Sequence, residues 1–411
     1  MSTDERAPAQ AAAAPGFARR LTRWMLPVLV VSTLYFGLII YPPLRVLGLL
    51  LPDWQPDTQI LLALMVGPLA LRVAAELLSR RTQSAAIAAA GRVCAALVMT
   101  GFGIGFIGFP IVFGWELANL IHALPARESG IALSALIGLL AVWGFVNAQR
   151  LSVRPHVLQV PSSAPAQVAG VRLVQISDVH VGSRTPAFLA RVVRRVNRLE
   201  ADAVLITGDL IDFAGISETA LASLGKLRAP AFFAIGNHER YVDLEAICAR
   251  LTRVGVRVLR NEAVLTGRLQ LIGIDDAEPK TQVGRVLPFI EPAADRYRIL
   301  LYHRPDGATD AAVWGVHLML CGHTHNGQIV PFNLLVKRVF PHICGLYHVD
   351  SQRIVRAQID RGNAVPETLL HVSPGTGTWG PILRLGSRAE ITHITLAAGA
   401  RLEPDASTAP A

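Results

Sequence analysis

Residues 171–180 read VRLVQISDVH, an apolar run that ends in an aspartate and a histidine. The same arrangement returns four times: residues 203–212 read AVLITGDLID, 231–239 AFFAIGNHE, 298–303 RILLYH, and 316–325 VHLMLCGHTH. Short, nearly continuous apolar runs are typical of strands that are buried on both faces. The pattern therefore predicts a sheet whose strands each end in polar side chains that can bind metal.

The segment between the first two strands indicates the fold class. Residues 187–199 (AFLARVVRRVNRL) place apolar side chains at helical spacing, with four arginines between them. We interpret the arginines as the solvated face of an amphipathic helix, and we expect no specific nucleic-acid partner. Strand, helix, strand connections predict a layered α/β domain with its functional groups at the carboxyl ends of the strands.

The polar side chains at these strand ends form one chemically coherent set. They are two aspartates, one asparagine and four histidines, without a thiolate: Asp178, His180, Asp209, Asn237, His303, His323 and His325. Oxygen and nitrogen ligands suit Mn, Fe or Zn at hydrolytic centres, and we favour Mn. Seven ligands are too many for one tetrahedral ion and enough for two if one carboxylate bridges them. His238 would then remain free to protonate a leaving alkoxide.

Each of these motifs alone has a plainer explanation. A single Asp-x-His after a strand is more often a turn or a helix cap, and a lone histidine such as His303 is more often structural. His323 and His325 would point to opposite faces of a regular strand, so they can share one site only through a turn, which Gly322 would allow. Five coordinated placements at strand ends favour a metal site over five separate explanations.

The ordered series of motifs resembles the calcineurin-like metallophosphoesterase superfamily. The motifs DVH, GDLID, GNHE, the histidine of YHRPD, and GHTH carry this resemblance. Residues 371–396 (HVSPGTGTWGPILRLGSRAEITHITL) resemble its membrane-anchored bacterial branch, which includes lipid-directed phosphodiesterases such as a UDP-diacylglucosamine pyrophosphatase. The resemblance covers residues 171–396, and it implies a four-layer αββα sandwich with a dinuclear metal site.

The resemblance also implies a role for each residue of the set. Asp178, His180 and His325 would bind the first ion, Asn237, His303 and His323 the second, Asp209 would bridge the two, and His238 would act as the acid or stabilise the transition state.

Three further residues lie near these motifs outside the proposed set of ligands. Asn326 stands where the membrane-anchored branch often has glycine after GHTH, which bears on loop shape or specificity. Asp275 and Asp276 follow a predicted strand at residues 269–274. They either form hydrogen bonds that orient the metal ligands or are acidic residues of a turn without a role in the site.

The composition of the chain changes near Arg150. The 411 residues have a net charge of +9, and 17% of them are charged. Residues 1–150 hold 11 arginines and 7 acidic residues, whereas the remainder is about 20% charged, near the level of about 25% that is usual for soluble domains. The sequence thus predicts a membrane region at 24–150 followed by a globular domain at 171–398.

Four uncharged stretches in the membrane region predict a four-helix transmembrane region, since about 20 apolar residues cross a bilayer core. They are residues 24–44, 58–71, 93–115 and 129–149. The second reaches 20 residues only if it includes Arg72 and Glu76, which could pair at i, i+4 on one helix face. A re-entrant or interfacial helix is the alternative for this stretch.

Arginines beside these stretches predict their orientation. They cluster before the first stretch, between the second and third, and after the fourth. By the positive-inside rule, this distribution predicts that both ends of the chain lie on the cytoplasmic side of a bacterial inner membrane. A cleaved signal peptide is the alternative for residues 19–41, but Tyr41-Pro42-Pro43 follows instead of a small-residue cleavage site. Residues 1–23 and 399–411 are predicted to be disordered tails, and residues 151–170 a linker.

We therefore predict a metallophosphoesterase that hydrolyses phosphodiester or pyrophosphate bonds with a metal-activated water. Residues 329–347 (IVPFNLLVKRVFPHICGLY) could dip into membrane lipids and admit an amphiphilic phosphoester, or could be a strand and turn under the core. A phosphomonoesterase or phosphoprotein phosphatase with the same site is the alternative enzyme. A membrane receptor or scaffold without turnover is the alternative of another class.

Overall fold

A computed structural model describes residues 33, 35–54, 56–81, 85–213, 215–277, 279–349, 354–356 and 367–398. The chain divides into two compact units, of which the first comprises Met1–Gly67 and Ile104–Ser134 and the second Pro68–Gly103 and Ala135–Ala411. Both predicted tails lie outside the described residues.

Helices and strands of the described chain are numbered here in chain order. The helices are α1 (Tyr41–Leu50), α2 (Thr58–Arg81), α3 (Ala85–Ile121), α4 (Ala126–Gln149), α5 (Pro186–Asn197), α6 (Glu218–Leu221), α7 (Asn237–Arg240), α8 (Leu244–Arg253), α9 (Gln282–Val286), α10 (Ala308–Trp314) and α11 (Phe332–Val339). The strands are β1 (Leu151–Gln159), β2 (Arg172–Ile176), β3 (Ala203–Thr207), β4 (Ala231–Ala234), β5 (Val256–Leu259), β6 (Glu262–Thr266), β7 (Leu269–Gly273), β8 (Tyr297–Leu301), β9 (Leu318–Cys321), β10 (Gly345–Val349), β11 (Ile354–Arg356), β12 (Thr368–Val372) and β13 (Ala389–Ala397).

The strands form two mixed sheets in the second unit. The first sheet has the order β1-β13-β2-β3-β4-β5, in which β2 to β5 are parallel and β13 is antiparallel to β2. The second has the order β11-β10-β12-β9-β8-β7-β6, in which β12, β9, β8 and β7 are parallel. Within each sheet the carboxyl ends of the parallel strands therefore share one edge.

Three apolar clusters separate four layers of this unit. The first cluster packs α5 and α8 against the outer face of the first sheet, the second lies between the sheets, and the third packs α9 and α10 against the second sheet. Val204, Leu205 and Ile272 are fully buried representatives of the three clusters in turn. The predicted α/β class is thus confirmed.

The predicted crossover helix is confirmed as α5. Thr185 caps it by accepting a hydrogen bond from the backbone N–H of Phe188, and Pro186 occupies its first turn. Its apolar face, which includes Leu189 and Val192, is buried. Because that face is fully used in packing on the sheet, the arginines remain on the solvated side.

The predicted linker at residues 151–170 is wrong in its first half. Leu151–Gln159 is the nine-residue strand β1, which pairs in parallel with Ala389–Ala397 along its whole length. Pro155 argues against a strand in the sequence, because proline cannot donate a backbone hydrogen bond. An edge strand nevertheless tolerates a proline, since its outer side needs no N–H donor. The globular domain therefore begins at Leu151.

Two described helices are long and apolar enough to cross a membrane, rather than the four predicted. They are Val93–Ile121 within α3 and Ala126–Gln149, which is α4. The apolar parts of the other two, Phe36–Leu50 and Thr58–Leu71, are shorter. The helix α2 does continue to Arg81, but charged residues end its apolar run, and residues 24–32 of the first predicted stretch lie outside the described chain.

Candidate metal centre

The structure brings all eight predicted site residues together where parallel strands end. Each follows a strand or the short turn after it: Asp178 and His180 follow β2, Asp209 follows β3, Asn237 and His238 follow β4, His303 follows β8, and His323 and His325 follow β9. This is the edge at which open α/β sheets place their ligands.

One group of side chains contains Asp178, His180 and His325. Their ligand atoms all lie within 4.8 Å of one another. The Nε2 atoms of His180 and His325 are 3.0 Å apart, and Nε2 of His325 is 3.4 Å from Oδ1 of Asp178. Asp178 and His180 are fully buried. Three donors of this kind, held this close, can coordinate one divalent ion.

A second group contains Asp209, His303 and His323. Nε2 of His303 lies 3.0 Å from Oδ2 of Asp209 and 3.2 Å from Nδ1 of His323. Asn237 begins the short helix α7, and its Oδ1 is buried without a hydrogen-bond donor among the described residues. Because buried polar atoms normally have a partner, this oxygen marks a place for a cation.

His238 lies beside both groups without being buried in either. Its Nε2 is 3.9 Å from Oδ2 of Asp209, and its Nδ1 is 2.9 Å from Oδ1 of Asp212. The side chain keeps 16% of its surface exposed, so a substrate can reach the ring. The ring also stands edge-on to Trp379, with centroids 5.8 Å apart.

Hydrogen bonds behind two of the histidines direct their lone pairs into the site. Nδ1 of His303 is 2.8 Å from the carbonyl oxygen of Thr207, which can only accept, so Nδ1 carries the proton and the Nε2 lone pair faces Asp209. In the same way Nδ1 of His180 lies 2.5 Å from Oδ1 of Asp212. Lone pairs that face a carboxylate and another imidazole repel each other unless a cation lies between them. The residues therefore fit divalent ions.

The electrostatics of the site also favour positive charge among its oxygens. Burial alone would lower the pKa of His303 and of His180, but the nearby carboxylates outweigh it and raise these values to about 10 and about 9. Burial would raise the pKa of Asp209, but the histidines around it lower that value instead. Protons or metal ions can supply the positive charge that the carboxylates attract.

Five of the proposed ligands have a left-handed backbone, which is costly for residues with a side chain. The φ angles are 53° at Asp178, 55° at His180, 50° at Asp209, 71° at His323 and 49° at His325. Such conformations cluster at functional sites. The left-handed residues also form the turn that lets both histidines of GHTH reach the site.

Gly322 serves this turn in a way that differs from the prediction. Its backbone is not left-handed, and instead a Cβ there would lie 1.9 Å from Oγ of Ser177 and 2.2 Å from Oδ2 of Asp178. Glycine is needed because two strand ends approach closely at this point. The left-handed backbone that makes the turn lies instead at His323, His325 and Asn326, and the φ angle of Asn326 is 51°.

Glu239 and Asp212 contact the site, and the sequence alone did not single them out. The fully buried Glu239 accepts hydrogen bonds from the backbone N–H groups of Asp209, Leu210, Ile211 and Gly236, so it joins the loops after β3 and β4. Asp212 holds His180 and His238 by their Nδ1 atoms. Glu239 is the last residue of the motif GNHE and Asp212 the last residue of GDLID, so their place in these motifs was the sign in the sequence that they belong to the site.

Arg384 is a third missed residue, and it is fully buried. Its guanidinium donates hydrogen bonds to the carbonyl oxygens of Pro374, Gly375 and Gly377 and lies 3.4 Å from Nδ1 of His325. Its own carbonyl accepts a hydrogen bond from Asn147 near the end of α4. One arginine therefore joins the loop that borders the site to a candidate membrane helix. Its only signal in the sequence was the resemblance of residues 371–396.

Asp275 and Asp276 contact arginines rather than the proposed ligands. Oδ2 of Asp275 is 3.2 Å from Nε of Arg260, and Oδ1 of Asp276 is 2.5 Å from Nε of Arg304. Arg304 follows His303 directly, so Asp276 steadies the loop that carries a proposed ligand. Asp275 is itself buried, and it anchors the inner end of an ion-pair network with the more exposed Arg240 and Arg260.

A fold with two mixed sheets and this constellation of aspartates and histidines defines an α/β metallohydrolase. A family model described as calcineurin-like phosphoesterase matches residues 171–327. A Danio rerio protein, "Transmembrane protein with metallophosphoesterase domain", is 34% identical over 328 residues, which cover 70% of this chain and 70% of that protein. The chain belongs to the calcineurin-like metallophosphoesterase family and is a phosphoric ester hydrolase.

Two bacterial relatives extend the comparison. An "Uncharacterized metallophosphoesterase" of Helicobacter pylori (strain ATCC 700392 / 26695) is 32% identical over 306 residues, covering 71% of this chain and 77% of that protein. "Phosphodiesterase YaeI" of Escherichia coli (strain K12) is 29% identical over 244 residues, covering 56% of this chain and 83% of that protein. Members of this family use divalent metals, which agrees with the groups of ligands described above.

Proposed function

We propose that the protein is a dinuclear metal-dependent hydrolase of phosphodiester or pyrophosphate bonds. The observation that supports this most is the position of Asp209, whose carboxylate groups with His180 and His238 on one side and with His303 and His323 on the other. The first ion would be held by Asp178, His180 and His325, the second by Asn237, His303 and His323, and Asp209 would bridge them. We favour Mn²⁺ for both.

The residues around the ions would divide the remaining work. When bound, the ions would supply Lewis acidity that activates water and offsets charge on the phosphoryl oxygens. His238 would donate a proton from Nε2 to the leaving oxygen, since its Nδ1 is occupied by Asp212. Asp212 would keep that ring oriented through its contact with Nδ1.

The favoured substrate class is a diester. The Escherichia coli relative is named a phosphodiesterase, which supports the same reaction here. The proton donor beside the site suits an alkoxide leaving group, which diesters and monoesters of alcohols both release, so it does not by itself select the diester.

We further propose that the substrate is amphiphilic and comes from the membrane. Trp379 is 53% exposed beside His238. The nearby Pro381 packs closely on Gly103 of α3, so that a Cβ added to Gly103 would lie 2.7 Å from Cβ of Pro381. Phe340, which directly follows α11, lies against His323 with ring centroids 5.0 Å apart. Apolar groups thus connect the site to a helix that is apolar enough to cross a membrane.

The helix α11 supports the same proposal. None of its residues is buried, and Leu334, Leu335 and Val339 are 58–67% exposed. Lys337 and Arg338 in its last turn would complement anionic headgroups. A short helix with this composition would lie in the interface beside the site. The alternative expectation, a strand under the core, does not describe Phe332–Val339.

The finer membrane arrangement stays a proposal. We propose that the two candidate spans, Val93–Ile121 and Ala126–Gln149, lie in a bacterial inner membrane, with both ends of the chain and the metal centre on its cytoplasmic side. The arginine distribution supports this orientation, and the two apolar helices together with relatives named transmembrane proteins support membrane association.

Hydrolysis of paired aryl phosphates tests the proposed reaction. Detergent-solubilised protein with Mn²⁺ should hydrolyse a bis(aryl) phosphate faster than the matching aryl monophosphate. The reverse preference would replace our proposal with a phosphomonoesterase. An absence of turnover on both, with metal bound, would favour a receptor or scaffold.

Two Asp→Asn variants test the role of Asp209. Asp209→Asn should lose both ions and lower the rate by about 10³-fold or more, since a bridging ligand supports several kcal/mol of transition-state stabilisation. Asp275→Asn is the matched control, because Asp275 is also buried but contacts arginines. Near-normal metal content and rate in Asp209→Asn would contradict the dinuclear assignment.

A further inference from the structure

Three metal-competent side chains meet between the two sheets, apart from the residues of the metal centre. They are His156 on the edge strand β1, Glu390 on its neighbour β13, and His371 on β12 of the second sheet. Their ligand atoms all lie within 4.8 Å of one another, and the two imidazole rings are 5.1 Å apart. The same distance limit groups the proposed ligands of the metal centre.

Hydrogen bonds fix which nitrogen of His371 can bind an ion. The side-chain amide of the buried Gln175 donates to Oγ1 of Thr207 at 2.9 Å and to the carbonyl oxygen of Cys321 at 2.8 Å. Its Oε1 must therefore face His371, whose Nδ1 lies 2.8 Å away and donates. The lone pair of His371 is thus on Nε2. A histidine held by a partner on its other nitrogen is typical of metal ligands.

Glu390 is a carboxylate with little compensation for its negative charge. Its Oε1 accepts a hydrogen bond from Oγ1 of Thr392 at 3.0 Å. Among the residues that the structure describes, no basic side chain forms an ion pair with it. Arg154 and Arg384 act on it electrostatically without forming an ion pair with it. A partly buried carboxylate beside two imidazoles is stabilised by a cation more effectively than by distant arginines.

We propose that His156, His371 and Glu390 bind a divalent transition-metal ion, for which Zn²⁺ is the best match. Two imidazole nitrogens and one carboxylate oxygen are a common ligand set for Zn²⁺, with a water as the fourth ligand. This ion would connect β1 and β13 of the first sheet to β12 of the second. It would link the two sheets at the edge formed by β1, the strand that directly follows α4. The inference does not depend on the proposed reaction.

The test measures Zn²⁺ binding in a background with a weakened metal centre. Full-length Asp209→Asn protein is treated with EDTA, titrated with Zn²⁺ alone, and analysed for bound zinc and for its melting temperature. Adding His156→Gln or Glu390→Gln should remove one equivalent of zinc, weaken the corresponding binding at least about tenfold, and abolish the matching rise in melting temperature. His393→Gln is the matched control, since His393 lies on β13 three residues from Glu390.

Two comparisons keep the outcome unambiguous. All variants should melt at the same temperature in EDTA, which separates loss of a ligand from loss of folding. Equal zinc content in the parent and in both ligand variants would overturn the proposal. If the metal centre itself bound no ions, the difference of one equivalent would remain, so the two proposals can fail independently.

Discussion

At the scale of single residues, Asp212 connects ligand geometry to proton transfer. The carboxylate contacts Nδ1 of His180 and Nδ1 of His238, and Ser183 donates a hydrogen bond to its other oxygen. Burial would raise the pKa of Asp212, but the charges and hydrogen bonds of the two histidines lower it instead. An ionised Asp212 therefore fixes both rings with Nε2 directed towards the site.

The role of His238 can be tested by the leaving group. We expect His238→Gln to slow hydrolysis of an alkyl phosphodiester by about 10²- to 10⁴-fold, because an alkoxide needs a proton donor. A nitrophenolate leaves without a proton, so the rate on a bis(nitrophenyl) phosphate should fall at least about tenfold less. Metal content should not change, and His348→Gln on β10 should match the parent. An equal loss on both substrates would contradict the assignment as acid.

At the scale of elements, two segments connect the site to apolar surroundings. The loop after β12 carries Trp379 to His238, and Gln328 holds this loop through hydrogen bonds to the backbone of Trp379 and Pro381. Because Gln328 directly follows the turn of His325–Gly327, the same turn positions a proposed ligand and leads into α11.

We expect α11 to govern access of amphiphilic substrates. Leu334→Ser combined with Leu335→Ser should raise KM for a long-chain phosphodiester in vesicles by about tenfold, since two exposed leucines would supply roughly 1–2 kcal/mol of interfacial burial. Hydrolysis of a water-soluble diester should not change. Leu265→Ser is the matched control, because Leu265 is 57% exposed on β6 at the far edge of the second sheet. An unchanged KM in the double variant would exclude α11 from substrate access.

At the scale of the whole molecule, the carboxylates and histidines clustered at the site make the stability of the fold depend on pH and on bound metal. His180 and His303 have pKa values raised above the ordinary 6.5, so the stability they contribute is present below about pH 6.5 and is lost as the pH rises through about 9 to 10. Bound divalent ions would replace those protons and remove much of this dependence.

Melting curves at several pH values test this coupling. In EDTA the melting temperature should fall by several degrees between pH 6.5 and pH 9.5, since each kcal/mol is worth about 2–4 °C in a domain of this size. With saturating Mn²⁺ the fall should be clearly smaller. Parallel curves with and without metal would show that these histidines do not face the ions.

The strand ends and the set of candidate ligands can be read from the sequence alone. Each motif is local: a buried strand shows as an apolar run, and parallel strands bring their ends to one edge, so Asp178, Asp209 and His303 could be placed before any contact was known. The candidate membrane helix at Ala126–Gln149 could be identified for the same reason, because length and hydropathy are local properties.

The distant groups that support those residues become apparent only once the chain is folded. Asp212 and Glu239 have their roles because loops from different strands meet, and Arg384 and His371 act across long sequence separations. The strand β1 was missed because its pairing partner, Ala389–Ala397, lies at the other end of the domain. Hydrogen bonds between segments so far apart depend on how the two sheets pack, and no local pattern of residues encodes that.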